Sequence, residues 1–253
     1  KMNENDSLIY GRNPVREALR SSREIDSVFI AENAEKNLSE IIQSARKAGI
    51  PIKKIPKQKM EQMLRNAGYE GQINHQGVLA RTASVEYRTI EDAEKLAASR
   101  NEPLLLIALD GIEDPRNLGA IVRSAEVFGA HGVIIPKRRS AGMTALAAKT
   151  ASGAEEYIPV IKVGNLARTI DELKGKGVFV AAADMGGQSL DRVDLKGAML
   201  LVIGAEGEGL SRLVKDKADH IVSIDMYGHV DSLNASAAAS ILMYEKKRQD
   251  RNG

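Results

Sequence analysis

The polar residues best suited to chemistry lie in three short clusters, each directly after an apolar stretch. The first cluster, DGIEDPRNLGAIVRSAEVFG (110–129), places Arg123 six residues after Asn117, which is predicted to cap a helix. We predict that this helix is largely buried, where a guanidinium rarely stays without a partner because its charge must be compensated. A functional contact is one interpretation of Arg123, and an ion pair with Glu126 or with a neighbouring strand is the other.

The second cluster, IGAEGEGL (203–210), combines three glycines with two acidic residues. Gly204, Gly207 and Gly209 would allow backbone N–H groups to face a ligand. Their spacing matches neither the dinucleotide-binding nor the triphosphate-binding glycine pattern. Because Glu206 and Glu208 would repel a phosphate group, the cluster favours a neutral or cationic ligand, although most glycine-rich turns have no ligand at all.

The third cluster lies within 224–245 and contains the stretch DSLNASAAAS (231–240). Leu233 is its single bulky residue, so the stretch can fill little volume in a core. Ser232 or Asn234 is predicted to cap the helix that follows, and the alanines favour that helix without adding bulk. The small side chains indicate that a ligand comes very close, or that another helix does.

Residues 103–253 show the pattern of a framework that could position these clusters. Apolar stretches typical of strands alternate with stretches typical of helices. Strands are predicted at 103–110, 132–136, 178–184, 199–206 and 220–225, and helices at 117–130, 140–154, 165–177, 210–218 and 234–249. The alternation predicts a parallel sheet with helices on both faces, and ligands of such sheets bind at the carboxyl ends of the strands.

The N-terminal part has a different pattern. Residues 1–84 are predicted to form a small α/β domain, and 85–102 a linker with one short helix. In the domain, helices are predicted from Pro14, with Asn13 as cap, and at 38–49, and strands at 25–32, 50–55 and 76–83. The stretch 46–65 carries seven basic residues against the single acid Glu61. Such a stretch suits a phosphate backbone, and a solvated surface is the alternative.

Composition excludes several classes of protein. The 253 residues include 43% hydrophobic and 28% charged residues, which is typical of a globular protein, with a net charge of +2. The absence of cysteine excludes disulfides, thiolate metal sites and cysteine nucleophiles, and it suggests a cytoplasmic location. The apolar runs at 104–109 and 198–203 are too short to span a bilayer. The four histidines are scattered, so no metal site is predicted.

Together, the three clusters resemble the three signature motifs of the SpoU (TrmH-like) class of the SPOUT superfamily. The stretch 114–135 resembles motif 1, LVIGAEGEGL (201–210) motif 2 and 224–245 motif 3, in the family's order. The N-terminal IYGRNPVREAL and HQGVLA resemble the small L30e-like RNA-binding domain of the branch that methylates guanosine in bacterial 23S rRNA. The resemblance covers essentially the whole chain.

This resemblance implies an α/β fold with a deep trefoil knot in its C-terminal domain, a homodimer, and S-adenosylmethionine as methyl donor. The implied site residues follow motif by motif. The catalytic set is Asn117, Arg123, Glu206 and Asn234, the cofactor-binding set is Gly204, Ile224, Met226, Ser232 and Leu233, and the RNA-binding set is Arg12, Arg46, Lys53, Lys54, Lys57 and Lys59. Asp225 departs from the family, which usually has proline at this position.

The implied reaction is methylation of a guanosine ribose 2′-hydroxyl in 23S rRNA. A guanidinium stays protonated, so Arg123 is expected to bind an RNA phosphate and orient the hydroxyl rather than to act as a base. Glu206 would hold either Arg123 or the motif loops in place. Three alternatives remain open: a tRNA guanosine methyltransferase of the same class, a non-catalytic RNA-binding factor in ribosome assembly, and an ordinary nucleotide-binding enzyme.

Overall fold

A computed structural model describes residues 8–251 apart from 21–24, 33, 68, 70, 72, 83, 84 and 231, and at position 36 it describes the backbone alone. The ends of the predicted N-terminal domain and the residue Asp231 therefore lie outside the described residues. The chain divides into two compact units. The first comprises 1–86 with 142–146, and the second comprises 87–141 with 147–253.

The first unit contains a four-stranded sheet in the order β1–β4–β2–β3. Its elements are β1 (Leu8–Tyr10), α1 (Arg12–Arg20), β2 (Ile25–Ala31), α2 (Ser39–Lys47), β3 (Ile52–Ile55), α3 (Lys57–Asn66) and β4 (Val78–Thr82). Alternate residues of β2 face opposite sides of the sheet, so that Val28 and Ile30 pack with α1 and α2, whereas Phe29 packs with α3. The predicted α/β character of this unit is confirmed.

Three details of the first unit differ from the predictions. Helix α1 begins at Arg12 rather than at Pro14, so Asn13 lies inside the helix. Strand β1 and helix α3 were not predicted. Strand β1 has only three residues, and α3 coincides with the basic stretch, whose charges obscured its two buried residues, Met60 and Leu64.

The second unit contains a six-stranded parallel sheet in the order β10–β8–β9–β5–β6–β7. Its strands are β5 (Leu105–Asp110), β6 (Gly132–Pro136), β7 (Val160–Val163), β8 (Phe179–Ser189), β9 (Met199–Gly204) and β10 (His220–Ser223). Its helices are α4 (Ile90–Arg100), α5 (Pro115–Val127), α6 (Ala145–Ala151, shared with the first unit), α7 (Leu166–Gly175), α8 (Arg212–Lys215) and α9 (Ala235–Arg251). The predicted parallel sheet is confirmed; β7 was not predicted, and α6 is half its predicted length.

Helices cover both faces of this sheet, as the apolar strands require. On one face, Ala93 of α4 and Ile170 of α7 join a cluster with Leu106 and Val202 of the central strands. On the other face, α5 and α9 pack against each other, and α9 also packs against β9. The segment 85–102, predicted as a linker, contains α4, which begins with a capping box between Thr89 and Asp92.

Strand β8 leaves its ladder near its carboxyl end. Ala182 pairs with Ile221 of β10, but the next pair joins Gln188 to Val222, so 183–187 leave the ladder with β10, while Ala183 still pairs with Ile203 of β9. Gly187 permits the return, because a Cβ atom there would lie 2.6 Å from the Ile221 carbonyl. This excursion places new side chains beside the carboxyl ends of β9 and β10.

Candidate active site

A tight turn follows β9 and contains the second sequence cluster. Ala205 and Gly209 exchange two backbone hydrogen bonds of 3.1 and 2.9 Å, so three residues form the tip of the turn. Gly207 and Gly209 adopt φ values of +83° and +67°, which favour glycine. A Cβ atom on Gly204 would lie 2.5 Å from the carbonyl carbon of Gly209. The prediction that the Gly209 N–H faces a ligand is wrong, because that N–H donates to Ala205 within the turn.

The carboxylate of Glu206, at the tip of this turn, accepts hydrogen bonds from both of the other motifs. Its Oε1 accepts from the Nδ2 of Asn117 at 2.9 Å and from the Nδ2 of Asn234 at 2.6 Å. The same oxygen accepts from the backbone N–H of Ala235 at 3.2 Å. Asn234 also donates to the Oδ1 of Asn117 at 2.9 Å. These three side chains, distant in sequence, form one polar network at the carboxyl edge of the sheet, defined here as the amide–carboxylate network.

Helix capping fixes the orientation of Asn234 within this network. Its Oδ1 accepts from the backbone N–H of Ser236 at 3.0 Å and so caps α9, one of the two predicted alternatives. With the oxygen engaged, the Nδ2 of Asn234 points away from the helix towards Glu206. The prediction that Asn117 caps α5 is wrong, because Asp114 caps this helix by accepting from the Arg116 N–H at 2.8 Å. Asn117 instead lies in the first turn of α5, where its amide reaches the turn after β9.

A pocket of about 670 Å³ lies beside the network, at the carboxyl ends of β8, β9 and β10. All five residues of the predicted cofactor-binding set line it: Gly204, Ile224, Met226, Ser232 and Leu233. Glu206 lines it as well, whereas Asn117, Arg123 and Asn234 do not. The structure thus places the predicted cofactor residues together and most of the predicted catalytic residues next to them.

The excursion of β8 contributes pocket residues that the sequence analysis missed. Asp184 and Met185 line the pocket, and Asp184 forms a 2.6 Å ion pair with Lys215 of α8. The hydrogen bond from Lys215 is the largest of several effects that hold the pKa of Asp184 below its usual value. The signal was present in the sequence, because DMGG (184–187) follows an apolar strand at its carboxyl end.

Asp225, which replaces the proline usual in the family, has a defined partner. The Ser189 hydroxyl contacts the Asp225 carboxylate at 2.8 Å and the Asp191 carboxylate at 2.7 Å. The first contact joins the 224–226 segment to the end of β8. Asp225 therefore supports one wall of the pocket from outside the sheet ladder.

Arg123 lies apart from the network. Its side chain is exposed on α5, and its closest polar contact is the Ser152 hydroxyl at 3.5 Å. In the described ranges no carboxylate pairs with it, so the alternative of an ion pair with Glu126 or a neighbouring strand is wrong. Of the two alternatives for Glu206, it holds the motif segments rather than Arg123. The guanidinium is available to a ligand because α5 buries its other face through Leu118, Ile121 and Val122.

The small residues of the third cluster lie against two neighbours, the pocket and helix α5. Ala235 and Ala238 line the pocket, whereas Ala239 is fully buried where α9 packs against α5. Ser240 of α9 contacts Ser124 of α5 at 2.9 Å between the hydroxyl oxygens. Both predicted interpretations of the stretch, close approach of a ligand and of a helix, fit these positions.

The predicted RNA-binding residues lie on the surface of the first unit but not on a single face. Arg46 lies in the last turn of α2 and Lys57 begins α3, and these helices cover opposite faces of the sheet. Lys53 and Lys54 of β3 also point to opposite faces, and Lys54 pairs with Glu35. Arg12 and Lys59 are exposed on α1 and α3. Five of the six residues therefore lie on the edge strand β3 or on the helices before and after it, whereas Arg12 follows β1, the opposite edge strand of the sheet.

The residues that the structure describes include no group of three or more side chains that could hold a metal ion. None of the helices formed by these residues has the length and apolar character that crossing a membrane requires. His131 and His75 are buried, and burial lowers the pKa of both. Each accepts a backbone N–H bond through its Nδ1, so both histidines serve the fold.

Comparisons with known proteins agree with this geometry. Residues 104–244 match the SpoU rRNA Methylase family, and 8–88 match the RNA 2'-O ribose methyltransferase substrate binding domain. YacO of Bacillus subtilis, assigned to the TrmH family of tRNA/rRNA methyltransferases, is 43% identical over 250 residues, which cover 98% of each chain. A TrmH family relative from Staphylococcus aureus (strain COL) is 45% identical over 97% of this chain and 98% of its own. The chain therefore belongs to the SpoU (TrmH-like) family of RNA methyltransferases.

Solved structures share the fold. The SpoU methyltransferase AviRb from Streptomyces viridochromogenes, in complex with AdoMet, has a TM-score of 0.60 at 24% identity, covering 97% of this chain and 91% of its own. The A. aeolicus TrmH/SpoU tRNA modifying enzyme has a TM-score of 0.56 at 26% identity, covering 63% and 84%. The first match spans both units, and the family matches at 8–88 and 104–244 identify a substrate-binding domain followed by a methyltransferase domain.

Proposed function

We propose that this chain transfers a methyl group from S-adenosylmethionine to a ribose 2′-hydroxyl of RNA. The observation that carries the proposal is the amide–carboxylate network of Asn117, Glu206 and Asn234, which joins all three family motifs beside the pocket. Membership of the SpoU family supports the reaction class.

The pocket suits S-adenosylmethionine in charge. Four carboxylate residues line it, namely Asp184, Glu206, Glu208 and Asp225, against the cation Lys215, which pairs with Asp184. Negative charge favours the cationic sulfonium of this donor over an anionic ligand. Gly204 and Ala235 leave room for close backbone contacts, and the predicted set of Gly204, Ile224, Met226, Ser232 and Leu233 would hold the cofactor.

When bound, S-adenosylmethionine supplies an electrophilic methyl group. The 2′-oxygen of the ribose forms a bond to the methyl carbon as the carbon–sulfur bond breaks, and the hydroxyl proton leaves to solvent water. Arg123 binds a neighbouring phosphate and aligns the hydroxyl, since its guanidinium stays protonated. Asn117, Glu206 and Asn234 keep the three motif segments in fixed register around the reacting atoms.

We assign the substrate to guanosine in 23S rRNA. The match of residues 8–88 to a substrate-binding domain supports a large structured RNA, because this domain is additional to the methyltransferase core. Methylation of tRNA is the second candidate, since the A. aeolicus relative is named as a tRNA modifying enzyme. The three linked motifs argue against a purely RNA-binding role, in which the network would have no function.

The organisation of the protein follows from this assignment. Residues 1–84 would form an L30e-like domain, 85–102 a linker and 103–253 a knotted methyltransferase domain, and the protein would act in the cytoplasm. The L30e-like domain would recruit RNA through Arg12, Arg46, Lys53, Lys54, Lys57 and Lys59. A homodimer would cover the apolar face that α5 and α9 leave exposed, where Val127 is 67% and Tyr244 51% accessible. Covering such a patch stabilises association.

The experiment is methyl incorporation from labelled S-adenosylmethionine into unmodified 23S rRNA and, separately, unmodified tRNA. The product is digested and its ribose methylation is mapped. A single 2′-O-methylguanosine in 23S rRNA is expected. Labelling of tRNA alone would transfer the assignment to the tRNA branch, and no labelling of either RNA would contradict the proposed activity.

A further inference from the structure

The loop after β6 holds a short basic sequence in a fixed conformation. Its first residue, Lys137, donates its backbone N–H to Val163 at 2.8 Å, and its last, Ala141, donates to Ile112 at 2.7 Å. The Ser140 hydroxyl donates to the Pro136 carbonyl at 2.5 Å and so closes the base of the loop. Arg139 adopts a φ of +53°, which is uncommon for a residue with a side chain. The two arginines at the tip are thus exposed on an anchored backbone.

The cations of this loop and of the first turn of α5 form no ion pair with the described residues, whereas a number of other cations in the same unit do. Five ion pairs illustrate the contrast: Arg168–Glu172, Lys174–Asp219, Lys176–Glu94, Lys217–Asp171 and Arg248–Glu245. By comparison, Arg116, Lys137, Arg138 and Arg139 form no ion pair with any residue that the structure describes. We call these four residues the basic arc.

The basic arc lies at the same edge of the sheet as the amide–carboxylate network. Lys137, Arg138 and Arg139 follow the carboxyl end of β6, and Arg116 lies in the first turn of α5, which follows β5. In the sheet, β5 separates β6 from β9, whose following turn carries Glu206. Two strand spacings amount to roughly 10 Å, a distance that a short stretch of RNA backbone can bridge.

Charge divides this edge into two sides. The pocket at the ends of β8, β9 and β10 is acidic, whereas the loop after β6 is basic. An RNA strand is repelled by the first and attracted by the second. Because the arc cations have no carboxylates to release, phosphate contacts would form without breaking ion pairs.

We propose that the basic arc is a phosphate-binding surface of the methyltransferase unit, which holds the RNA strand beside the target ribose. The inference rests on the proposed function and assigns a second RNA-binding surface, distinct from that of the N-terminal unit. Arg123 would contact the phosphate next to the reacting hydroxyl, and the basic arc would contact phosphates further along the strand. Phosphate contacts of this kind fix position without reading sequence.

The test uses the full-length chain with the double substitution Arg138→Ala/Arg139→Gly. Glycine suits the positive φ of Arg139, so this variant removes two charges without adding backbone strain. RNA affinity is measured with unmodified 23S rRNA and tRNA transcripts at several salt concentrations. Each phosphate contact contributes roughly 0.7 to 0.9 to the slope of log affinity against log salt. We expect the slope to fall by about 1.4 to 1.8, and KM for RNA to rise while kcat stays within about twofold.

Two matched variants complete the design. Arg168→Ala/Arg212→Ala removes two exposed arginines that pair with Glu172 and Asp216, and it should leave the slope unchanged. Arg138→Lys/Arg139→Lys keeps both charges and should restore the slope. An unchanged slope in the Arg138→Ala/Arg139→Gly variant, or an equal fall in the control, would contradict the proposal that the basic arc binds RNA phosphates. Failure of the wild-type chain to methylate any RNA would instead contradict the proposed function, so the two failures are distinguishable.

Discussion

The two sides of the sheet edge in the second unit differ in both charge and construction. On one side, backbone turns and small residues form a pocket with four acidic residues. On the other side, helix α5 and the loop after β6 carry arginines with no internal ion pairs among the described residues. The amide–carboxylate network of Asn117, Glu206 and Asn234 lies between the two sides.

This difference shows how one edge can bring together ligands of opposite charge. A sulfonium donor is stabilised by nearby carboxylates, whereas an RNA strand is stabilised by free guanidinium groups. Apart from the pair between Asp184 and Lys215, the acids of the pocket side and the cations of the other side form no ion pair with each other among the described residues, so their charges are available to the two ligands. Four variants test whether the sides act separately, and they are given in order of decreasing effect.

Replacement of Arg123 by alanine should have the largest effect. Loss of the guanidinium leaves the 2′-hydroxyl misaligned, and we expect turnover to fall by about 100-fold or more. The affinity for S-adenosylmethionine, measured by calorimetry, should stay within about twofold, since Arg123 does not line the pocket. Arg168→Ala on α7 is the control and should retain full activity. Turnover above half of the wild-type value would show that Arg123 has no role in the reaction.

Replacement of Gly204 by alanine should affect the pocket side. The added Cβ would lie 2.5 Å from the Gly209 carbonyl carbon, so the turn must shift. We expect cofactor affinity to fall by about tenfold or more, and unfolding free energy to fall by about 1–3 kcal/mol. Gly186→Ala, where nothing lies within 4 Å of the added atom, is the matched control. Equal affinities in the two variants would contradict the assigned packing.

Replacement of Glu206 by alanine should affect the amide–carboxylate network, which lies between the two sides of the sheet edge. The change removes the acceptor of three hydrogen bonds, including the one from the Ala235 N–H. A hydrogen bond to a charged group contributes about 1.5–3 kcal/mol, so we expect turnover to fall about tenfold or more. Glu208→Ala removes a carboxylate from the same turn and should have less effect on turnover. The network assignment fails if the two variants lose turnover equally.

Replacement of Asp225 by alanine should have the smallest effect. It removes the 2.8 Å contact with Ser189, which supports the pocket wall. A hydrogen bond to a charged group contributes about 1.5–3 kcal/mol, but this one supports the pocket wall without contacting the cofactor, so only part of it should reach binding. Cofactor affinity should fall by about two- to tenfold, with RNA affinity unchanged. Ser189→Ala should give a similar loss, and the double variant should add little further loss. Additive losses would show that the two residues act independently.

The sequence predicted an element correctly where its local pattern of apolar residues matches the burial of that element in the fold. Apolar runs predicted the central strands of the second unit, because strands buried on both faces have few polar residues. The position of the three clusters after predicted strands indicated one edge of the sheet, and the resemblance to the family motifs assigned Asn117, Glu206 and Asn234 to one catalytic set. Their hydrogen bonds bring the three side chains together, and their role in the reaction stays a prediction.

Other features depend on tertiary structure and could not be predicted from the sequence. The exposure of Arg123 depends on which face of α5 packs against the sheet. Its neighbours in the sequence had predicted a largely buried helix instead. The excursion at 183–187 depends on the pairing between β8 and β10. The division of the basic stretch between two faces depends on α3, which the charges concealed.

The most direct test of the divided edge measures two affinities on two variants of the full-length chain. S-adenosylmethionine affinity and RNA affinity are determined for Gly204→Ala and for Arg138→Ala/Arg139→Gly. The predicted result is a crossed pattern, in which the first variant loses cofactor affinity alone and the second loses RNA affinity alone. Loss of both affinities in either variant, with folding confirmed by thermal unfolding, would contradict a division of the edge into a cofactor side and an RNA side.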